Sequence, residues 1–235
     1  MALFTISDLH LPLGIDKPMD IFGRNWDNYV ERIEEEWKKS VREEDTVVLP
    51  GDFSWAMYLE ESKKDFEFLD ALPGNKILLK GNHDYWWSTL NKMKNFLKTE
   101  GFLNIDFLQN NTFLYKNTAI CGSRGWSYIG YKEPKNKEDL AIYEREVLRL
   151  EMSLKAGVAG SPDEIIVFMH YPPVSPDCVD NKFTALLKEY GVKRCIYGHI
   201  HGAQSRNAVT GTIDGVQYML VSCDCMGFSP VKLCD

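Results

Sequence analysis

The chain has 235 residues, of which 44% are hydrophobic, 26% charged and 12% aromatic, and this is the profile of a folded globular protein rather than of a disordered, collagen-like or coiled-coil chain. It carries 27 Lys and Arg against 34 Asp and Glu, a formal net charge of −7, which disfavours a general nucleic-acid coat or a binder of anionic membranes because both need a basic face. The longest clean apolar run, residues 165–169, is far shorter than the roughly 20 residues that span a membrane.

Strand-like and helical segments alternate along the whole chain with no repeat or linker between them, which indicates a single α/β domain over residues 1–235. Apolar residues at three- and four-residue spacing predict the helices, and short apolar runs predict strands buried on both faces. In chain order we predict strand 3–6, helix 25–42, strand 46–49, helix 60–71, strand 76–79, helix 86–97, strand 119–121, helix 140–154, strand 165–169, helix 181–190 and strand 194–197. Two further strands, 208–213 and 216–222, flank Asp214-Gly215, a favoured hairpin turn, so the sheet system is mixed.

Five of these strands end in polar clusters that can bind metal ions. The clusters are Asp8-Leu9-His10, Gly51-Asp52, Gly81-Asn82-His83-Asp84, His170, and Gly198-His199-Ile200-His201. Each alone has a structural alternative, such as a capped turn or a hydrogen-bonded histidine. All five histidines of the chain lie in these clusters, however, and loops beyond the carboxyl ends of strands are where α/β sheets place ligands. Together the clusters predict a metal site.

The six cysteines are spread along a chain large enough to fold without disulfides, and we expect them to be reduced. The first residues lack the basic and apolar pattern of a secretion signal, so a cytoplasmic protein is expected. Cys223-Asp224-Cys225 is close enough to suggest a thiolate metal site, but without a second pair, small buried apolar side chains are the better interpretation.

The motif order Asp-x-His, Gly-Asp, Gly-Asn-His-Asp, His and Gly-His-x-His, running here from Asp8 to His201, resembles the calcineurin-like metallophosphoesterase superfamily. The resemblance implies an α/β (α+β) fold: a metallophosphatase-type β-sandwich of two mixed sheets flanked by helices, in four layers α/β/β/α, with two metal ions held by loops at one edge. The charged and then helical segment 128–163 is the candidate for a small cap over this edge.

The resemblance also implies a role for each motif residue. One ion is bound by Asp8, His10 and His201, the other by Asn82, His170 and His199, and Asp52 bridges them. His83 remains as a catalytic residue, oriented by Asp84. Imidazole, amide and carboxylate ligands without thiolate suit two divalent transition-metal ions, with Mn, Fe or Zn favoured and Co or Ni as alternatives.

These residues predict a metal-dependent phosphohydrolase that cleaves a phosphomonoester or phosphodiester. Two divalent ions outweigh the charge of the Asp8 and Asp52 carboxylates, so the site attracts an anionic phosphate. The ions lower the pKa of a shared water, and the resulting bridging hydroxide is the expected nucleophile. His83, which is not needed as a ligand, is expected to assist the leaving group with a proton or a hydrogen bond.

Three residues near the motifs are candidates for substrate binding. The Arg124 guanidinium can grip a phosphate oxygen, the alternative being a surface salt bridge. Trp126 and Tyr171 can line the mouth of the site and stack on a base, the alternative being core packing beneath the loops. A small phosphorylated substrate of nucleotide-like type is expected. Protein Ser/Thr phosphatases of the superfamily resemble Gly-Asp-x-Val-Asp-Arg-Gly, and the chain departs from this after Gly51-Asp52, which argues against phosphoprotein substrates.

Two other functions remain as alternatives. A nuclease acting on long nucleic acid is disfavoured by the acidic charge and by the lack of a Lys/Arg cluster. A non-catalytic binding module on the same fold would be expected to have lost metal ligands, whereas this chain has all of them. Metal-supplemented phosphatase and nuclease assays distinguish the three.

Overall fold

The computed structural model describes residues 1–19, 21, 23–126 and 136–235. In these residues the helices are α1 (Tyr29–Ser40), α2 (Lys63–Ala71), α3 (Leu90–Glu100), α4 (Lys137–Val158) and α5 (Lys182–Glu189). The strands are β1 (Leu3–Thr5), β2 (Thr46–Pro50), β3 (Asn75–Leu79), β4 (Ile105–Phe107), β5 (Phe113–Tyr115), β6 (Thr118–Ser123), β7 (Glu164–Met169), β8 (Arg194–Tyr197), β9 (Gly211–Ile213), β10 (Val216–Leu220) and β11 (Val231–Cys234). Short 3-10 helices span Arg24–Trp26 and Gly202–Asn207.

The strands form two sheets. The first has the order β11-β1-β2-β3-β4, and the second has the order β5-β6-β7-β8-β10-β9. The central strands of each sheet are parallel, whereas β11 in the first sheet and β5 and β9 in the second run antiparallel to their neighbours. The predicted fold of two mixed sheets flanked by helices is therefore confirmed.

Alternate residues of each central strand face different layers, which explains why these strands are apolar throughout. In β2, Val47 and Leu49 belong to the core that includes α1, α2 and α3, whereas Val48 belongs to the core between the two sheets. In β7, Val167 belongs to the core under α4 and α5, whereas Ile166 faces the first sheet. The four layers are thus helices, sheet, sheet and helices.

Most of the segment considered as a cap runs along the second sheet. Residues 136–163 contain α4, whose Tyr143, Leu150 and Leu154 are buried in the same core as Ile165 of β7. Residues 128–135 of that segment lie outside the described residues. Of the helices in the described part of the chain, none is both long and apolar enough to cross a membrane.

Candidate active site

The loops that carry the motifs meet because the two sheets are joined at the carboxyl ends of their parallel strands. Just past β1, Ser7 pairs in parallel with Ser222, which follows β10. The Ser7 N–H donates to the Val221 carbonyl at 3.0 Å, and the Cys223 N–H donates to the Ser7 carbonyl at 3.0 Å. This junction places Asp8 beside the loop that follows β8.

The first cluster consists of Asp8, His10 and His201, each of which offers a ligand atom within 4.8 Å of the others. His201 Nε2 lies 3.1 Å from Asp8 Oδ1 and 3.4 Å from His10 Nε2. Asp8 and His10 are buried, and His201 is half-buried. Residues 191 or more positions apart in the chain therefore converge on one point.

The second cluster consists of Asp52, His170 and His199, again with ligand atoms within 4.8 Å of one another, and Asn82 joins it. His170 Nε2 lies 2.6 Å from Asn82 Oδ1 and 3.4 Å from Asp52 Oδ2. The same Asp52 oxygen is 3.7 Å from His10 Nε2 in the first cluster. A single carboxylate oxygen therefore faces both clusters.

The donor atoms fit metal ions. Atoms bound about 2.1 Å from one ion at tetrahedral or octahedral angles lie about 3.0–3.4 Å apart, close to the separations between these side chains. The Pro50 carbonyl is 3.1 Å from His170 Nδ1 and so takes the one proton of the neutral ring, which leaves the lone pair of Nε2 against the oxygens of Asn82 and Asp52. The electron pairs of these atoms repel one another, and a cation between them would remove the repulsion.

The charges and the burial of the two clusters shift the pKa values of their members. Burial lowers the pKa of His170 to about 3, which keeps its imidazole neutral and able to ligate. Burial would raise the pKa of Asp8, but the charge and hydrogen bond of His201 hold it well below its usual range. Burial, together with the charges of Asp8 and Asp84, raises the pKa of Asp52 well above its usual value. Without a cation, the proton that Asp52 keeps and the proton of His201, whose pKa burial would lower but Asp8 and Asp224 raise to about 10, offset the negative charge of the site. Binding of metal ions would displace both protons.

Asp224 is a site residue that the sequence analysis missed. Its Oδ1 lies 2.8 Å from His201 Nδ1, and its Oδ2 accepts the Gly202 N–H at 2.9 Å. Burial opposes its ionisation, but these two hydrogen bonds hold the pKa of Asp224 below its ordinary value. A carboxylate behind a ligand histidine fixes the ring so that Nε2 points to the metal. The sequence pattern Cys223-Asp224-Cys225 drew attention to its cysteines, but the residue that contacts His201 is the aspartate between them.

We expect Asp224→Ala to lower metal affinity about 10–100-fold while leaving the fold intact, since this is the usual effect of losing the partner of a ligand histidine. Metal titration against a competing chelator measures the change. Asp180→Ala removes an aspartate whose side chain is 84% exposed and paired with Lys188, and it serves as the control. Equal affinities in the two variants would show that Asp224 does not support His201.

Asp84 has different partners from those expected. Its Oδ2 accepts N–H groups from Asp52 at 2.9 Å and Gly81 at 2.7 Å. Its Oδ1 accepts N–H groups from Phe53 at 2.9 Å, Ser54 at 3.3 Å and the Trp86 indole at 3.0 Å. The expectation that this carboxylate orients the His83 ring is therefore corrected: its oxygens are occupied by five other donors, and it fixes the loops around Asp52 and Gly81.

His83 lies over the first cluster. Its backbone N–H donates to Asp52 Oδ1 at 2.7 Å, and its ring centre is 4.4 Å from that of Trp55 and 5.6 Å from that of His10. Its buried Nδ1 has no hydrogen-bond partner among the described residues. Burial, with the charges of Lys17 and His199, lowers the pKa of His83 to about 4, so the ring is neutral at neutral pH.

The backbone of the motifs adopts conformations that are unusual for residues other than glycine. Asp8, His10, Asp52 and His199 all have positive φ, from 47° to 73°, a conformation that side chains other than glycine seldom adopt and that concentrates at functional sites. A Cβ on Gly81 would lie 2.1 Å from Asp52 Oδ1. Glycine before Asn82 is therefore required by the close approach of the two loops.

The three residues expected to bind substrate lie beside the second cluster: Arg124 and Tyr171 contact its members, and Trp126 lies between these two. The Arg124 carbonyl accepts the N–H groups of His170 at 3.2 Å and Tyr171 at 2.9 Å. Its guanidinium lies 5.2 Å from the Trp126 ring, which is 5.2 Å from the Tyr171 ring. The Tyr171 ring in turn is 4.3 Å from His199. The three side chains form a continuous series that ends at His199 of the second cluster.

The six cysteines are free, and the two near the site serve other contacts. Cys223 is buried with its Sγ 3.0 Å from the Asp8 carbonyl, and Cys225 lies 3.8 Å from the Ile200 carbonyl. Burial raises the pKa of Cys223 well above its usual value, so it is a neutral thiol. These contacts agree with small buried side chains rather than a thiolate pair.

The fold resembles several solved structures. Phosphopantetheinyl hydrolase from Mycobacterium tuberculosis matches with a TM-score of 0.56 and 14% identity, over 99% of this chain and 95% of that one. A Thermus thermophilus protein matches with a TM-score of 0.56 and 13% identity, over 99% and 97% of the two chains. A protein of unknown function from Aquifex aeolicus matches with a TM-score of 0.51 and 20% identity, over 98% and 95%. At these identities the likeness extends to the fold alone.

Comparison with curated protein sequences gives no significant match. The family model of the calcineurin-like phosphoesterases, in contrast, matches residues 1–203, a stretch that contains all five motifs and both clusters of ligand atoms. The superfamily resemblance noted in the sequence is thereby confirmed. The chain belongs to the calcineurin-like phosphoesterase family.

Proposed function

We propose that the protein is a dinuclear-metal phosphoesterase that hydrolyses a small phosphomonoester or phosphodiester. The observation that carries the proposal is the position of Asp52 Oδ2, which lies 3.7 Å from a histidine nitrogen of the first cluster and 3.4 Å from one of the second. A carboxylate shared in this way is suited to hold two cations side by side. Family membership supports phosphoester hydrolysis as the reaction class.

In this proposal Asp8, His10 and His201 hold one ion, Asn82, His170 and His199 hold the other, and Asp52 bridges them. Bound divalent ions would activate a water molecule and neutralise the charge that develops on the phosphate in the transition state. Imidazole, amide and carboxylate donors favour Mn, Fe or Zn over Ca or Mg. The free cysteines agree with a reducing compartment such as the cytoplasm.

His83 is proposed to assist the leaving group. Because its lowered pKa keeps the ring neutral, it would act by donating a hydrogen bond from one ring nitrogen rather than as an imidazolium acid. The hydrogen bond from its backbone N–H to Asp52 and the contact of its ring with Trp55 hold His83 beside the first cluster. Asp84 supports this arrangement through the backbone of the Asp52 loop.

Arg124, Trp126 and Tyr171 are proposed to bind substrate. The guanidinium supplies positive charge, and the two rings supply apolar surface beside His199. This combination suits a small organic phosphate of nucleotide-like type. The formal charge of −7 makes a long polyanion such as nucleic acid a less suitable substrate, so a nuclease ranks as the second candidate.

The test is an assay of metal-stripped protein reloaded separately with Mn, Fe or Zn, using p-nitrophenyl phosphate and bis-p-nitrophenyl phosphate. We expect two bound ions per chain by elemental analysis and hydrolysis of at least one ester that a chelator abolishes. Faster cleavage of single- or double-stranded DNA than of either ester would favour a nuclease. A protein that binds two ions but turns over none of these compounds would be a binding module.

A further inference from the structure

A second polar cavity lies beside the proposed active site, and we call it the basic pocket. Its charged lining consists of Lys80, Arg124, Arg149 and Glu146, with Ser88 and Asn110 among its polar residues. Lys80 directly precedes Gly81-Asn82, and Arg124 bonds through its carbonyl to the backbone of His170. The pocket is therefore adjacent to the second cluster, on the side formed by β3, β6 and α4.

The charges of the basic pocket do not balance. Three cations face one carboxylate, that of Glu146, which is fully buried. Glu146 Oε1 lies 2.7 Å from Arg149 and 3.6 Å from Arg124, and so it holds both guanidiniums in place. This leaves a surplus of two positive charges in a chain whose formal net charge is −7. A phosphate monoester carries about −1.5 to −2 at neutral pH, which matches the surplus.

Hydrogen-bonding capacity in the pocket is also unused. The Lys80 side chain makes no ion pair or hydrogen bond with the described residues, and the buried Nε of Arg124 has no acceptor among them. Unpaired buried donors are costly, and guanidinium groups present donors that match the oxygens of a phosphate. An internal salt-bridge network would instead use these donors within the protein.

The size of the cavity limits the ligand. Its volume is about 180 Å³, which is below the roughly 300 Å³ at which pockets for drug-sized molecules begin. A phosphate group fits such a space, whereas a nucleoside does not. The rest of the ligand must therefore extend out of the pocket, whose Lys80 and Arg124 adjoin Asn82 and His170 of the second cluster.

We propose that the basic pocket binds a second phosphate group of the substrate, so that the substrate class is an organic molecule carrying two phosphates, one at the metal ligands and one among Lys80, Arg124 and Arg149. The inference rests on the proposed function for the phosphate that reacts. The second phosphate is bound and not cleaved in this step. Its charge orients the molecule and favours bisphosphates over monophosphates.

The activity test compares alkanediol bisphosphates of increasing chain length with the monophosphates of the same diols. For the wild type, we expect kcat/KM to favour one bisphosphate at least about tenfold, as expected of charge-assisted hydrogen bonds. Arg149→Gln should remove most of that preference. Arg145→Gln is the matched control, because Arg145 on the same helix is 4.0 Å from Glu146 but does not line the pocket. Equal preference in both variants, or none in the wild type, would overturn the proposal while leaving phosphoester hydrolysis intact.

A binding test separates this inference from the proposed activity. Metal-free protein lacks the cations of the active site, so titration with inorganic phosphate reports on the basic pocket. We expect binding that Arg149→Gln weakens about tenfold and Arg145→Gln preserves, whether or not the enzyme turns over any ester. Binding to the metal-free protein with no preference for bisphosphates in turnover would assign the pocket to free phosphate, and so would contradict a substrate-binding role. Absence of phosphate binding would overturn the pocket itself.

Discussion

Asp52→Ala is expected to abolish binding of both metal ions and, with it, phosphatase activity. The side chain is 1% exposed, and its Oδ2 is the atom that faces the two clusters together. Losing a ligand to both ions should reduce metal affinity by more than the about 10–100-fold seen when only a partner of a ligand is lost. Elemental analysis after dialysis against a weak chelator measures retained metal, and the ester assay measures the activity.

A buried aspartate at the other end of the same strand provides the control for folding. Asp45 precedes β2, is 3% exposed, and accepts the Arg42 N–H at 2.8 Å, far from the motifs. Asp45→Ala should lower the melting temperature yet keep both ions. Asp52→Asn should not lower the melting temperature of the metal-free protein, because burial and the charges of Asp8 and Asp84 already disfavour an ionised carboxylate there. Full metal retention in Asp52→Ala would contradict the bridging role.

His83→Ala should show the opposite pattern, with both ions retained and kcat lowered about 10²–10⁴-fold, the range typical of a lost acid or hydrogen-bond donor. The His83 ring contacts Trp55 and His10, but it belongs to neither group of ligand atoms and its Nδ1 has no hydrogen-bond partner among the described residues. Removing the ring therefore takes no ligand from either ion. The loss should be greater for an alkyl phosphate than for p-nitrophenyl phosphate, because p-nitrophenolate leaves without help. His83→Gln, which keeps a donor, should recover part of the rate.

The metal content of the variants distinguishes a His83 that assists the leaving group from a His83 that binds a metal ion. Equal metal loss in His83→Ala and Asp52→Ala would make His83 a ligand. An equal loss of rate with good and poor leaving groups would indicate that the ring positions the site rather than assisting departure. Both outcomes are measurable on the same preparations.

The sequence predicted the central part of the fold because its strands are buried on both faces and its helices have one apolar face. The predicted strand 165–169 and helix 181–190 match β7 and α5 to within one residue at each end. In contrast, β4 and β5, with three residues each, and β11 were not predicted. These strands lie at the ends of the sheets, where a short run has little apolar surface to bury and pairing with a neighbour decides its structure.

The candidate ligands could be found from the sequence because each stands directly after an apolar strand. Their supporting residues could not, since those depend on contacts between loops. Asp224 supports His201 from 23 residues away. Asp84 sits next to His83 in sequence but bonds to the loop that begins at Asp52. Adjacency in the chain suggested the wrong partner for Asp84 because the sharp turn of the motif directs its carboxylate to the neighbouring loop.

The junction between Ser7 and Ser222 has a mechanical consequence. Members of both clusters come from loops of both sheets, so two bound cations would connect one half of the sandwich to the other. Any sliding of the sheets past each other would strain both coordination spheres at once. A smaller side chain at Ile120 or Ile166, both in the core between the sheets, should loosen the packing there. We expect faster release of the ions as the first effect, before any strand unfolds.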